Sequence, residues 1–548
     1  MSIPRIPVGL ACGATLLYLG AALYVLGAPG FPLDDAWIHL RFARALALGD
    51  GLTYDPAGAV WVGGSTAPLW TALLALGFVL PGRPVLVVSL LLGLVSFLAL
   101  VVAVDRFARA LGLSAGWAGV AAGLVAGCHW LVWSALSGME IALFTALAVA
   151  GLAAHAQERR GDHVPRAPAL LALSCLARPE GVLPLMAVLA DRWIELHAGR
   201  PRPRRDPRAL VAAGSALALG LPTLLVYRLL GGSWLPTTFA AKTGDGFDLV
   251  PSLGYLQLVG GLLLGAAPLL APLALVGLGR LVRLPQGRPL AAWLLGQPLA
   301  YALLATPGAP PPMGNFGRYH FPLLPLLLLA AVVGLERLLR GARRPVVLAV
   351  VGLVALPQAA LLAVGPPRYT QTVANVQDSD VRAACWLREN LPPEAVLGVQ
   401  DIGAVGYFAP HRLVDLAGIV TPEVVPVLLG TDPEAPADGA TNERYWEERL
   451  VDFLAEREVD YLVVFAESYP ALAASPSFRR IARFDVEDNV TMAGSTLLVL
   501  ATPWSRHPPH ASPSANPRPA NPQPANTQPA NTQPANTQPA NTQRPDAR

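Results

Sequence analysis

Charge is what this chain lacks most. Only 14% of its 548 residues are charged, against roughly 25% in an ordinary soluble domain, while 53% are hydrophobic. That balance excludes a soluble globular protein. Cysteine is scarce as well: Cys12, Cys128, Cys175 and Cys385 are the four present. Three lie inside apolar runs and none has metal-ligand spacing, which excludes a disulfide framework and a zinc knuckle. An excess of one sign is missing too. A net charge of +3, with the basic residues scattered through short loops, gives no reason to expect nucleic acid. The first apolar run ends in Ala28-Pro29-Gly30 with no small-residue cleavage site and reads as a retained helix.

What is present is a succession of apolar runs of about twenty residues between Leu10 and Val364, each long enough to cross a hydrocarbon core of roughly 30 Å. Eighteen Arg and Lys residues fall in five short segments (105–112, 155–168, 191–208, 280–289 and 337–344), and only six in the segments between them. The positive-inside rule therefore makes the five cytoplasmic. Two cytoplasmic loops must be joined by an even number of crossings, yet only residues 167–190 separate the second from the third. The spacing predicts a hairpin that turns at Arg178-Pro179-Glu180-Gly181. Its rising limb covers only about 20 Å, which places the turn in a cavity that water enters.

The same parity predicts a mainly α protein, a polytopic bundle of about eleven transmembrane helices near 8–28, 84–104, 113–133, 140–157, 167–178, 180–196, 208–230, 255–280, 290–306, 321–340 and 344–364. Residues 66–80 read as an interfacial helix within the first outer loop, 31–83. Residues 1–364 form the membrane domain. Residues 365–505, with frequent charges and short strand-like runs such as "YLVVF", predict an extracytoplasmic α/β domain. Residues 506–548 are a Pro, Asn, Thr and Gln-rich "PANTQ" repeat that cannot build a core and is expected to be disordered.

Polar residues gather on the outer side of this topology. Asp34 and Asp35 follow the first helix, and Asp35 and His39 are four apart, a spacing that on a helix could hold one divalent metal; a helix cap at Ala36 explains the acids equally well. Arg41 and Arg44 could meet a phosphate or lipid headgroups. Glu140 begins a descending helix, where the helix dipole favours an acid. Arg178 and Glu180 are costly near mid-membrane, and such residues usually face a functional cavity. Lys242, and the run Arg318, Tyr319 and His320, stand just before helices that enter the membrane. Acids and cations from five separate loops thus end at one face of the bundle.

These residues lie in "LDDAWIHLRFARALALGDGLTYDP", "GGSTAPLWTALLA", "SGMEIALF", "ARPEG", "WLPTTFAAK" and "GRYHFPLLPLL". In their order and placement the chain resembles membrane glycosyltransferases of the GT-C superfamily, and within it the branch containing the mycobacterial terminal arabinofuranosyltransferase. The resemblance implies a multi-pass enzyme of the cytoplasmic (inner) membrane that transfers a sugar, a pentofuranose in that branch. The donor would be a polyprenyl-phosphate carrier and the acceptor an extracytoplasmic glycan, lipid or protein. It implies Asp34 or Asp35 as base or metal ligand, with Mg2+, Mn2+ or Ca2+ as the ion where one is used. The "ARPEG" turn and the later Lys and Arg would contact the donor phosphate. Thr237 stands where related chains often carry Asn, and the tail is no family feature. One carboxylate base acting opposite the leaving phosphate would invert the anomeric centre. Two other classes also suit a polar-lined bundle: a transporter or flippase of lipid-linked sugars, although no internal repeat is visible, and a non-catalytic envelope assembly protein.

Overall fold

The computed structural model describes residues 3–54, 65–161, 165–197, 252–304, 314–429 and 439–509, with the single positions Gly214, Leu225 and Arg228. The expected helix at 208–230, Lys242 and the repeat tail from residue 510 lie outside these. The apolar runs become helices that end where the backbone chemistry demands. α1 (Arg5–Leu26) stops at Gly27, whose φ of 72° only glycine adopts readily. α2 (Asp35–Leu48) stops at Gly49 in the same way. α3 (Pro68–Val79) occupies the expected interfacial segment. Then come α4 (Val85–Ala110), the pair α5 (Ala115–Ala126) and α6 (His129–Ala135) bent by 63°, and α7 (Ile141–Glu158).

The expected hairpin is present as α8 (Ala167–Ala177) and α9 (Val182–His197). Pro179 disfavours a helical conformation at the residue before it; Arg178 is extended (φ −155°, ψ 144°) and the chain reverses through Pro179–Gly181. The far end of the hairpin is clipped to α7 by buried pairs: His155 to Asp191 at 3.0 Å, and Arg159 to Glu195 at 2.6 Å.

The single helix expected at 255–280 is instead two, α10 (Leu253–Ala266) and α11 (Leu270–Leu281), bent by 108°. Pro268 is the cause, since it pushes Ala267 to φ −147°, ψ 66°. α12 (Arg288–Leu304) and α13 (Leu324–Leu338) follow, the latter entered through a 3-10 stretch, Gly314–Leu323, that carries Arg318, Tyr319 and His320. α14 (Arg344–Val376) runs through a π turn at Gln377–Val381 into α15 (Arg382–Asn390) as one continuous 47-residue helix. The expected boundary at 364/365 therefore falls inside a helix. Among the described residues five helices are long and apolar enough to cross a membrane, or seven if each bent pair is one span. The protein is a multi-pass membrane protein.

The C-terminal domain is a five-stranded mixed sheet in the order β2-β1-β3-β5-β4. Its elements in chain order are β1 (Val396–Val399), α16 (Ile402–Phe408), β2 (Arg412–Asp415), α17 (Val425–Leu429), α18 (Gly439–Glu456), β3 (Tyr461–Phe465), α19 (Pro470–Ala474), β4 (Arg479–Asp485) and β5 (Thr496–Ala501). β1, β2 and β3 are parallel, and β5 and β4 close the far side antiparallel. Central β1 and β3 are buried along their whole length, as strands covered on both faces must be, whereas edge strand β4 alternates toward solvent. Arg506 and His507, expected in the tail, are held to the domain: the Arg506 N–H donates to Asp460 at 2.9 Å, and Tyr461 donates to the His507 carbonyl.

In a parallel arrangement the carboxyl ends of the strands open onto a shared crevice. Here the segments leaving β1 and β2 face the membrane bundle. α16 packs on α2, with Trp37 against Tyr407 and Phe408 at ring separations of 5.1 and 4.8 Å, and Tyr54 donates to the Ile402 carbonyl at 2.6 Å. α2 is thereby sandwiched between the bundle and the domain, with residues 36–43 all buried.

Candidate active site

Asp34 and Asp35, adjacent in sequence, have opposite surroundings. Asp34 precedes α2 and points into the C-terminal domain, where its two oxygens accept the Gly403 N–H at 2.6 Å and the Ala404 N–H at 2.7 Å. Those are donors left over in the first turn of α16, whose own cap residue, Asp401, makes no side-chain cap bond. Asp34 thus caps a helix of another domain, with its charge at the positive end of the helix dipole. The contact is close enough that a Cβ on Gly403 would collide with the Asp34 carbonyl and carboxylate. Burial pushes Asp34 up to about 7, against the downward pull of the two N–H donors. Burial, followed by the charges of Asp34 and Asp35, pushes Asp401 up to about 8.

Asp35 turns the other way, into a cleft of about 60 Å³. It pairs there with Arg318 and keeps 29% of its side chain exposed, so a reactant can reach it. Arg318 is buried, and its Nε and Nη1 have no hydrogen-bond partner among the described residues. Glu140 makes no cap bond to its own helix. Its carboxylate instead takes Arg178 Nη1 at 2.6 Å and lies 3.0 Å from His39 Nε2. Arg178 grips Glu180 with two nitrogens, Nη2 at 2.8 Å and Nε at 3.2 Å, the bidentate fork that favours Arg at such positions. Tyr301 donates to Glu180 at 2.6 Å.

The Tyr319 ring lies between the two cations, 5.3 Å from the Arg178 guanidinium carbon and 5.4 Å from that of Arg318. Gln297 fixes this stretch by donating to the Tyr319 carbonyl at 2.7 Å. His320 Nε2 is 2.9 Å from the Tyr255 hydroxyl. The cleft is completed by Ile38, Thr66, Met139 and, from the C-terminal domain, Ile419.

Of the residues expected at a site, Asp35, His39, Glu140, Arg178, Arg318 and Tyr319 line one cleft, with Glu180 behind Arg178 and His320 behind Tyr319. Asp34 belongs to the neighbouring domain contact. Arg41 is buried on α2 and does not line the cleft; Arg44 lies further along α2, where its charge acts on Tyr407. Lys242 is outside the described residues. Asp35 is paired with Arg318 and His39 with Glu140, and among the described residues no three His, Cys, Asp or Glu side chains converge on an ion position. Tyr255, Tyr301, Thr66 and Ile419 were not expected at the site. A signal for one existed in Gln297 and Tyr301, two polar residues four apart on an otherwise apolar helix.

Chemically, the cleft offers one accessible carboxylate beside two buried guanidinium groups. Residues 369–505 match a family described as Domain of unknown function (DUF8728). No curated protein matches the chain in sequence. Among solved structures the chain is similar to ArnT from Cupriavidus metallidurans bound to undecaprenyl phosphate, with a TM-score of 0.56 and 14% identity over 91% of this chain and 97% of that one. It is similar also to the oligosaccharyltransferase of Archaeoglobus fulgidus in the apo form, at TM-score 0.56 and 13% identity over 84% of this chain and 70% of that one. The Archaeoglobus fulgidus oligosaccharyltransferase AglB in complex with an inhibitory peptide and a dolichol-phosphate gives TM-score 0.52 at 13% identity, over the same shares of the two chains. At these identities the likeness establishes the fold, a helical membrane bundle with an appended C-terminal domain as in those structures.

Proposed function

We propose that this protein is a membrane glycosyltransferase that moves a sugar from a polyprenyl-phosphate carrier to a hydroxyl group of an extracytoplasmic glycan, lipid or protein acceptor. The observation that carries the proposal is Asp35, a partly exposed carboxylate facing Arg318 and Arg178 where bundle and C-terminal domain meet. The fold shared with ArnT and the oligosaccharyltransferase supports it.

In this reading the acceptor hydroxyl donates its proton to an Asp35 oxygen while the acceptor oxygen bonds to the anomeric carbon. The bond from that carbon to the phosphate oxygen breaks on the opposite face, with inversion, and the polyprenyl phosphate departs with the electron pair. Negative charge grows on the phosphate, and preorganised cations in a site shielded from water stabilise such charge strongly. Arg318, with two buried nitrogens to spare among the described residues, would meet the phosphate first. Arg178 is held in place by Glu180 and Glu140 and would supply the second charge. His39 and Glu140 orient this pair and do not touch the reacting atoms. Asp34 locks the C-terminal domain over the cleft and acts as a positioning residue. The cleft and the domain face the extracytoplasmic side of the cytoplasmic membrane, as the loop charges require, and the sugar is a pentofuranose, as the sequence motifs suggest.

Purified protein in nanodiscs, incubated with radiolabelled polyprenyl-phosphate pentofuranose and hexose donors, should release polyprenyl phosphate in the presence of a glycan acceptor. Asp35→Asn should abolish that release. A wild-type protein that binds such donors and moves them between leaflets without breaking the phosphate bond would favour a flippase instead.

A further inference from the structure

A cleft of about 60 Å³ has room for about four waters at the roughly 15 Å³ each requires. A sugar ring is larger than that, so the side chains that line the cleft decide what fits beside Asp35. Asp35 is tied to Arg318, and His39 and Arg178 are tied to Glu140. Among the described residues the C-terminal domain adds one side chain to the lining, Ile419.

Ile419 stands in the loop that leaves the carboxyl end of β2, and that loop is built to hold a fixed shape. The buried Asp415 carboxylate accepts the Ala417 N–H at 2.8 Å and the Val420 N–H at 2.7 Å, and the Asp415 N–H donates to Thr421 Oγ1 at 3.0 Å. Leu416 continues the ladder by donating to the Val399 carbonyl at 2.9 Å. The turn needs φ 76° at Gly418, where a Cβ would also press on Val425. Asp415 therefore shapes the loop from within the C-terminal domain, while the domain as a whole is indexed to the bundle by Asp34 and α16. The result is an aliphatic side chain, with no hydrogen-bonding group, held at a fixed place in the lining of a cleft that also carries Asp35, Glu140, Arg178 and Arg318.

We infer that the loop 416–421 is a fixed wall on the acceptor side of the transfer site, a gate in the steric sense, and that Ile419 sets the bulk of the acceptor admitted to Asp35. This rests on the transferase reading above. The assignment to the acceptor and not the donor follows from chemistry: a donor with a polyprenyl tail enters from the bilayer, whereas an acceptor presented from outside the membrane comes past the C-terminal domain.

The test uses full-length protein in nanodiscs with a polyprenyl-phosphate pentofuranose donor and octyl glycosides as acceptor probes, from single pentofuranoses to branched trisaccharides. Transfer and acceptor-free donor hydrolysis are followed in the same samples, and melting temperature reports folding. Ile419→Ala should raise kcat/KM for the branched probes at least tenfold relative to the smallest one. Ile419→Trp should cut transfer to every probe at least tenfold while donor hydrolysis stays within threefold. Ile419→Val, which keeps the fold with little change in volume, should preserve the wild-type ranking. If Ile419→Ala and Ile419→Trp, both folded, keep the wild-type acceptor ranking, the gate is refuted and the transferase reading stands. A wild-type protein that neither transfers nor hydrolyses any donor refutes the transferase reading, and the gate with it.

Discussion

Replacing each of two neighbouring acids by Asn gives the sharpest separation of roles. Asp35→Asn removes the proposed base but leaves a carbonyl oxygen to accept from Arg318. A general base contributes about 100- to 10,000-fold, which at roughly 1.4 kcal/mol per tenfold is about 3 to 5 kcal/mol of transition-state free energy. Breaking a fully buried ion pair costs about 3–5 kcal/mol of stability. Asp35 is 29% exposed and Asn still hydrogen-bonds, so a loss of about 1–2 kcal/mol is the reasonable expectation here. Activity should therefore collapse while the melting curve moves little. Asp34→Asn should do the reverse. It replaces one of two charge-assisted bonds to the first turn of α16 with an amide donor facing an N–H donor, at about 1.5–3 kcal/mol for the lost bond. Turnover should fall less than tenfold, and exchange of the α16 amides should rise sharply. The assays are release of polyprenyl phosphate, thermal melting in nanodiscs, and hydrogen exchange over residues 402–408. A Asp34→Asn protein with α16 protected but turnover reduced 100-fold, beside an active Asp35→Asn protein, would reverse the two assignments.

Gly403→Ala should weaken docking of the C-terminal domain, because the added methyl meets Asp34; greater protease sensitivity between bundle and domain is the expected sign, and unchanged cleavage would refute it. Asp34 at about 7, Asp401 at about 8 and Asp415 at about 6 all lie above the ordinary carboxylate value. The folded protein therefore holds protons that the unfolded chain has already released from about pH 4 upward. Their contribution to stability is fullest below about pH 4 and is lost as pH rises through 6 to 8. Melting temperature should fall between pH 5 and 8.5, Asp401→Asn should flatten the fall above pH 7, and a rising curve would contradict it. A cysteine at Gly181, in a background lacking the four native thiols, should react with an impermeant reagent added outside; labelling from the cytoplasmic side alone would invert the topology. Truncation after Pro509 should leave insertion and transfer intact. A stable but inactive truncation would give the tail a role in the reaction.

The convergence of Glu140, Arg178, Arg318 and Asp35 was legible in the sequence because charged residues in apolar runs are too costly to keep without partners, and because loop charge set which ends of the helices meet. The hairpin at Arg178 was legible for the same reason, through parity. What lay beyond reach depends on distance between chain segments. Nothing local distinguishes Asp34 from Asp35; their roles separate only when Gly403 and Ala404, some 370 residues later, occupy one side of α2. Ile419 carries no polar signal at all. Arg41, which reads as an interfacial cation, is buried on α2, and nothing local in the sequence marks it so. The break at Ala267 was present in the sequence as Pro268, yet the apolar run continued past it and mean hydropathy does not register backbone geometry.

The unbroken helix from Arg344 to Asn390 makes chain length equivalent to angle. It is about 70 Å long at 1.5 Å per residue. Inside the C-terminal domain it is keyed to the sheet's loops, since Asn375 accepts from the Val490 N–H at 2.9 Å and donates to the Glu487 carbonyl at 3.1 Å. One residue inserted on the membrane side of that key would turn the domain by about 100° and lift it by about 1.5 Å. Ile419 would be carried off the cleft although no residue of the site had changed. Eleven inserted residues, about three full turns, would restore the heading and leave the domain stranded about 16 Å too high. Exchanges of the domain between related chains must therefore be cut at matched helical phase. A chimera joined one residue out of step would report the gearing of the shaft and say nothing about acceptor choice.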